Sequence, residues 1–228
     1  MTIRPYRKTN RREAGFSFIE ILVVMAIISV LATMVVVVVP MIQEKAKQTK
    51  SKANVSSLIS FYTAYGCGLE KPWPSFNGKN FVLWLVASNQ IDRRREQNLD
   101  VLFSPGDQHY TREKTSTKDW EGITMAALKS EGHDDFRKLT SYAGRRAKEK
   151  AHELTADELS KGALIICDDD DGPLHHPKGL VMGYSGGDVR FQSWTDLDVP
   201  PPADEKNPDG LLGDGSSNEE LKHMSSAN

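Results

Sequence analysis

The apolar positions fall into three patterns along the chain. From Ile21 to Ile42 they run almost without a break, about 22 apolar or small residues after the single carboxylate Glu20. At 1.5 Å per residue such a helix is roughly 33 Å long, enough for a bilayer core of about 30 Å. The next pattern is periodic: Val55, Leu58, Ile59 and Tyr62 recur at helical spacing among Lys45, Lys47, Lys50 and Lys52. This predicts an amphipathic helix whose stripe must be covered. Pro40 removes one backbone donor and is expected to bend the helix, while Gly66 and Gly68 end it.

Beyond the helix, Phe81–Val86 reads as a short buried helix and Met125–Lys129 as another. Residues 145–161 look helical, with Thr155-Ala156-Asp157-Glu158 as a capping box. The third pattern is β: Ala163–Cys167 is a short apolar strand. Residues 179–184 and 188–194 flank Ser185-Gly186-Gly187, a hairpin turn in which glycine supplies positive φ. In the second of these strands Val189, Phe191 and Ser193 face one way, and Arg190 and Gln192 the other. From Pro200 the Pro-Pro-Pro start and the Gly/Ser/Asp/Asn/Glu-rich sequence predict a disordered acidic tail. The whole is α+β: one long N-terminal helix, half membrane-spanning and half laid on a small antiparallel sheet.

Charge sharpens this picture. The net formal charge of the 228 residues is -2, but residues 1–15 carry Arg4, Arg7, Lys8, Arg11 and Arg12 against Glu13. A basic leader beside an apolar run stays cytoplasmic and sends the C-terminal domain across the membrane. The run exceeds the roughly 7–15 apolar residues of a secretory signal, and no small-residue cleavage site follows it, so it anchors the chain. Arg93-Arg94-Arg95 lacks interleaved aromatics and reads as a solvated face; no nucleic acid is expected as a partner. No Walker loop, G-x-S-x-G or H-E-x-x-H is present, and no enzyme is expected.

Gly15-Phe16-Ser17-Phe18-Ile19-Glu20 followed by the apolar helix resembles the N-terminal signal of type IV pilins and type II secretion pseudopilins. The resemblance implies cleavage by a prepilin peptidase between Gly15 and Phe16, N-methylation of Phe16, and an assembly role for Glu20. In the assembled state Glu20 would neutralise the new α-ammonium of a neighbouring subunit, since a paired buried charge costs far less than an orphan one. Other pilin or pseudopilin subunits, an inner-membrane assembly platform with its ATPase, and membrane lipid are the partners implied. The organisation implied is a leader over 1–15, a membrane half over 16–42, an amphipathic half over 43–66, a globular domain over 67–199 and the tail over 200–228. The C-terminal part also resembles the His-x9-Asp-Gly prepilin-like module of planctomycete-type bacteria. Phe103-Ser104-Pro105-Gly106-Asp107, Thr140-Ser141-Tyr142-Ala143-Gly144 and His176 through Phe191 follow its order. Ser104 replaces the module's cysteine, and Gly186-Gly187 stands where it has Asp-Gly.

Two further features stay open. Asp168, Asp169, Asp170 and Asp171 suggest either a solvated acidic turn or a structural Ca²⁺ site, calcium loops being known among major pseudopilins. His175 and His176 nearby lack partners at zinc-ligand spacing and read as structural or exposed. Cys67 and Cys167 are either unrelated small apolar residues or, in an exported domain, a disulfide from the first helix to a core strand. The rival to a filament subunit is a membrane-tethered binding module that uses the signal only for processing and anchoring. The long charged insert from Asp92 to Phe136 keeps that rival in view.

Overall fold

A computed structural model describes residues 15–67, 70–130, 134–147, 154–168, 175–199 and 211–225. Helices are α1 (Phe18–Tyr65), α2 (Gly78–Ala87), α3 (Glu96–Leu99), α4 (Thr117–Glu121), α5 (Met125–Lys129), α6 (Ala156–Lys161) and α7 (Glu219–Lys222). Strands are β1 (Tyr142–Arg145), β2 (Leu164–Asp168), β3 (Gly179–Tyr184), β4 (Val189–Ser193) and β5 (Met224–Ser225). The chain divides into two units, Met1–Gln43 and Glu44–Asn228.

In the first unit, α1 begins at Phe18 and continues through Pro40. Its apolar residues are open to the surroundings: Phe16 is 85% exposed and Val36 is 73% exposed. No part of its most apolar window is buried. A helix apolar on every side and covered on none suits hydrocarbon or other apolar helices, not water.

The second unit is α+β, with an antiparallel sheet in the order β4-β3-β2-β1-β5. The remainder of α1 buries Val55, Leu58, Ile59 and Tyr62, the predicted stripe, on one face of this sheet. Gly183 of β3 makes that approach: a Cβ there would stand 2.4 Å from Val55 Cγ1 and 2.7 Å from Ile59 Cδ1. Helix α1 ends at Tyr65, where Gly66 adopts φ +93°. The predicted second stop, Gly68, lies outside the described residues. Helix α2 is buried over Gly78–Val86 and packs on β1. Gly144 permits this contact, because a Cβ there would meet Gly78 O at 2.3 Å.

The β3–β4 hairpin closes as expected. Tyr184 N–H donates to Asp188 O and Gly187 N–H to Tyr184 O, both at 2.9 Å, with Gly187 at φ +91°. Its side chains alternate as read: Val189 and Phe191 pack against the α1 side, while Gln192 donates to the Tyr184 hydroxyl.

Three expectations need correction. The region read as helix over 145–161 is divided: Arg145 closes β1, residues 148–153 lie outside the description, and the helix proper is Ala156–Lys161. Thr155 and Glu158 do form the capping box. Glu158 also holds Arg145 at 2.6 Å, so a buried guanidinium ends a strand where the sequence suggested the start of a helix.

The second correction concerns the tail. Residues 211–225 are folded, with α7 and β5, and β5 pairs with β1. Leu211, Leu212, Leu221 and Met224 join Leu164, Leu180, Met182 and Trp194 in an apolar cluster on the opposite side of the sheet from α1. Without that cover the second sheet face would present apolar residues to water, at about 1.5–3 kcal/mol for each large side chain.

The third concerns the cysteines. Cys67 and Cys167 are buried and not joined to each other, Cys67 in the cluster beneath α1 and Cys167 in the cluster beyond the sheet. Successive residues of a strand point to opposite faces, which turns Cys167 away from α1. Burial, the largest influence, pushes the Cys67 thiol up to about 11, so it is held as an unreactive thiol.

Candidate functional site

Two groups of polar residues carry the chemistry, one in each unit. In the first unit, Ser17 precedes the helix and Glu20 stands three residues on. Glu20 Oε2 accepts the Ser17 N–H at 2.7 Å, half of a capping box. The Ser17 carbonyl accepts the first helical N–H groups, from Glu20 and Ile21. Helix N-termini leave donors unsatisfied, and a carboxylate there also meets the positive end of the helix dipole. Glu20 therefore has a local partner, one residue from Phe16. Gly15 is open, with nothing near the position a side chain would take. The Ser17-x-x-Glu20 spacing is itself a capping-box signal, one that the reading of Glu20 as an assembly charge passed over.

In the second unit, the stripe of α1 changes character towards its beginning. Gln48, Ser51 and Asn54 continue the spacing of Val55, Leu58 and Tyr62 and are buried. Gln48 donates to Glu44 Oε1 one turn earlier, and the other two are matched by polar groups beyond α1. Asn54 donates to Phe103 O at 2.8 Å, and Ser51 Oγ lies 2.8 Å from Ser104 Oγ. His176, 1% exposed, spans the group: Nδ1 is 2.9 Å from Glu44 Oε1 and Nε2 is 3.0 Å from Ser51 Oγ. This is the carboxylate–imidazole–hydroxyl order that hydrolases use to activate a nucleophile. Here the hydroxyl belongs to a helix interior and no part of Ser51 is exposed. The order satisfies buried polar groups, each of which would cost about 1–3 kcal/mol if left unmatched.

His175 makes a second bridge. Nδ1 is 3.2 Å from Asp168 Oδ1, and Nε2 is 3.3 Å from Asp107 Oδ2, an ion-pair distance on the opposite edge of the ring. Both contacts are ion pairs when the imidazole carries both its protons. Each aspartate has further support. Asp107 Oδ1 accepts the His109 and Tyr110 N–H groups at 2.7 and 2.9 Å, and Asp168 Oδ2 accepts the Val181 N–H at 2.7 Å. Burial pushes the Asp107 carboxyl up. His175, Ser141 and the Tyr110 amide together outweigh it, and the carboxyl lies below its ordinary value. Gly106 fits under the His175 backbone, where a Cβ would approach the His175 carbonyl oxygen to 2.0 Å. Tyr142 closes the group beside Asn54, Ser51 and Ser104; burial first, then the Asp168 charge, raises its phenol far above the ordinary value.

The structure thus brings Ser104, Gly106, Asp107, Ser141, Tyr142, His175 and His176 to one place under α1. The sequence resemblance placed most of these in order but gave no reason for their proximity. Periodicity was the missed signal: Glu44, Gln48, Ser51 and Asn54 continue the apolar stripe at the same three- and four-residue steps.

Asp168 closes β2, is wholly buried, and has protein partners for both carboxylate oxygens. Asp169, Asp170 and Asp171 lie outside the described residues. Among the described residues no group of three or more His, Cys, Asp or Glu side chains is arranged to hold a metal.

No curated protein and no solved structure matches the chain. Residues 10–36 match the family model of the prokaryotic N-terminal methylation motif. That stretch contains Gly15, Phe16, Ser17, Glu20 and the first half of the uncovered apolar helix, and over it the chain carries an N-terminal signal of the prepilin type.

Proposed function

We propose that the chain is a structural subunit of a type II secretion pseudopilus or type IV pilus-like filament. In this reading a prepilin peptidase cuts between Gly15 and Phe16, Phe16 is methylated, and the N-terminal helix drives assembly on an inner-membrane platform. The domain from Glu44 onward would face the periplasm or the exterior. The observation that carries the reading is the methylation motif over residues 10–36, which runs into a helix whose apolar surface is exposed as far as Ile42. Such a surface is stable in lipid before assembly and against other copies afterwards.

Glu20 would then exchange partners: the Ser17 N–H in the single subunit, and the Phe16 ammonium of a neighbour in the filament. Glu20→Ala is expected to leave the subunit inserted and processed while its incorporation into filaments falls sharply, as read by immunoblot of sheared filaments. Normal incorporation would refute the role given to Glu20.

The second reading, a tethered binding module, is favoured by the insert from Asp92 to Phe136, whose described residues fold as short helices, with α5 packed on α2. Purified filaments that lack the chain would favour it. A calcium role would have to rest on Asp169, Asp170 and Asp171, and a melting temperature equal in calcium and in EGTA would remove it.

A further inference from the structure

The apolar run is flanked by basic residues on both sides, and this has a consequence once the leader is removed. Arg4, Arg7, Lys8, Arg11 and Arg12 precede it, and Lys45, Lys47, Lys50 and Lys52 follow within ten residues of Ile42. Orientation across a membrane responds to the excess of Lys and Arg near the ends of a span. The precursor has five against four. Cleavage after Gly15 leaves no Lys or Arg before the run and four after it. The mature chain then carries its basic excess on the exported side, the reverse of the usual bias.

These four lysines are not neutralised by the domain. Lys45 and Lys50 are exposed and Lys47 and Lys52 half-buried, and among the described residues none of them forms an ion pair. Between Gln43 and Leu69 the one acidic residue is Glu44, whose Oε1 is turned to His176 Nδ1 and Gln48 Nε2. The spacing distributes the lysines around α1. Successive residues advance by about 100°, so Lys47 and Lys52 flank the buried stripe of Gln48, Ser51 and Val55, while Lys45 and Lys50 stand further round the helix. Lys45 is three residues from Ile42, and three residues span at most about 11 Å in any conformation. A lysine so tethered keeps its stem along apolar surface and its ammonium at headgroup level.

We infer that Lys45, Lys47, Lys50 and Lys52 form a basic collar that binds the phosphate headgroups of anionic phospholipid in the exported-side leaflet. The collar fixes the depth of the span after the leader has gone. The charge complementarity selects the lipid: a cluster of lysines beside a span is the composition that an anionic membrane surface attracts. The inference rests on the processing and anchoring proposed above, and its test separates the two.

Full-length mature chain is reconstituted into vesicles of phosphatidylcholine alone or with phosphatidylglycerol added. Flotation confirms insertion, and lysine acylation is then followed residue by residue by mass spectrometry, with Lys129 and Lys178 as exposed references. Acylation of the four collar lysines is expected to slow about fivefold in the anionic vesicles. High salt should abolish that protection, and Lys129 and Lys178 should be unaffected. Equal labelling in both lipids overturns the inference and leaves the anchoring reading intact. Protection that follows the protein-to-lipid ratio and not the lipid charge also overturns it, and assigns the lysines to neighbouring copies. A chain that fails to float refutes the anchoring reading and, with it, the collar.

Discussion

Replacing His175 by leucine tests whether the Asp107–His175–Asp168 bridge holds the domain together. The substitution removes the imidazole that stands between two buried carboxylates. Breaking a buried ion pair by deleting one partner costs about 3–5 kcal/mol, because the other charge is left uncompensated. Here the lower end applies. Asp107 keeps the His109 and Tyr110 N–H groups and Asp168 keeps the Val181 N–H. For a domain of this size a loss of about 3 kcal/mol corresponds to a melting temperature lower by roughly 6–12 °C. The pH dependence supplies a sign that packing loss would not. In the native protein the Asp107 carboxyl lies below its ordinary value. Its contribution is therefore present above an unfolded value of about 3.9 and is lost as pH falls through the folded value. Without His175, two of the influences that lower Asp107 are gone while burial, the largest single influence, remains, so the folded value rises from its native position. The variant therefore loses less stability than the native protein as pH falls below about 3.9, and the gap between the two narrows there. Thermal unfolding of the full chain in detergent micelles, followed by near-ultraviolet circular dichroism at pH 7 and at about pH 3.5, measures both effects. Adding Asp107→Asn to His175→Leu should restore part of the loss. A variant within about 1 kcal/mol of the native protein, with the same pH profile and no rescue, would refute the reasoning.

Two further outcomes follow from the packing. Ser51→Cys with Ser104→Cys should form a disulfide across the 2.8 Å hydroxyl contact and tie α1 to the domain. Closing a loop of 53 residues stabilises by roughly 4 kcal/mol in the chain-entropy model, and failure to oxidise, checked on a non-reducing gel, would contradict the register given for α1. Leu221→Ala, in the segment first read as disordered, should cost about 2–5 kcal/mol as a buried Leu-to-Ala truncation. A melting temperature unchanged in that variant would mean that the segment does not cover the sheet.

Legibility in the sequence followed the range of the interactions. The stripe of α1 and the β3–β4 hairpin were readable because their cause is local: a three- and four-residue recurrence of apolar positions, and Gly187 where φ must be positive. Strand β1 was not readable from its own residues. Tyr-Ala-Gly-Arg is too short to show alternation, and its arginine is accommodated by Glu158, 13 residues away. The tail misled for a related reason. Its average composition is that of a disordered chain, and the average conceals Leu211, Leu212, Leu221 and Met224, whose target is a sheet face built from residues far upstream. The polar continuation of the α1 stripe was hidden because serine, asparagine and glutamine at core spacing look like surface. Only the partners Ser104, Phe103 O and His176 make them interior. At the N-terminus the opposite holds, for Gly15, Phe16 and Glu20 are defined by local spacing and need no fold to be recognised.

N-terminal peptide mass spectrometry of the protein from its native membranes tests the central claim most directly. The account predicts a mature chain that begins at N-methylated Phe16, with residues 1–15 absent. A chain that retains Met1, or one cut after the apolar run, would contradict prepilin processing and the assembly role of Glu20 together.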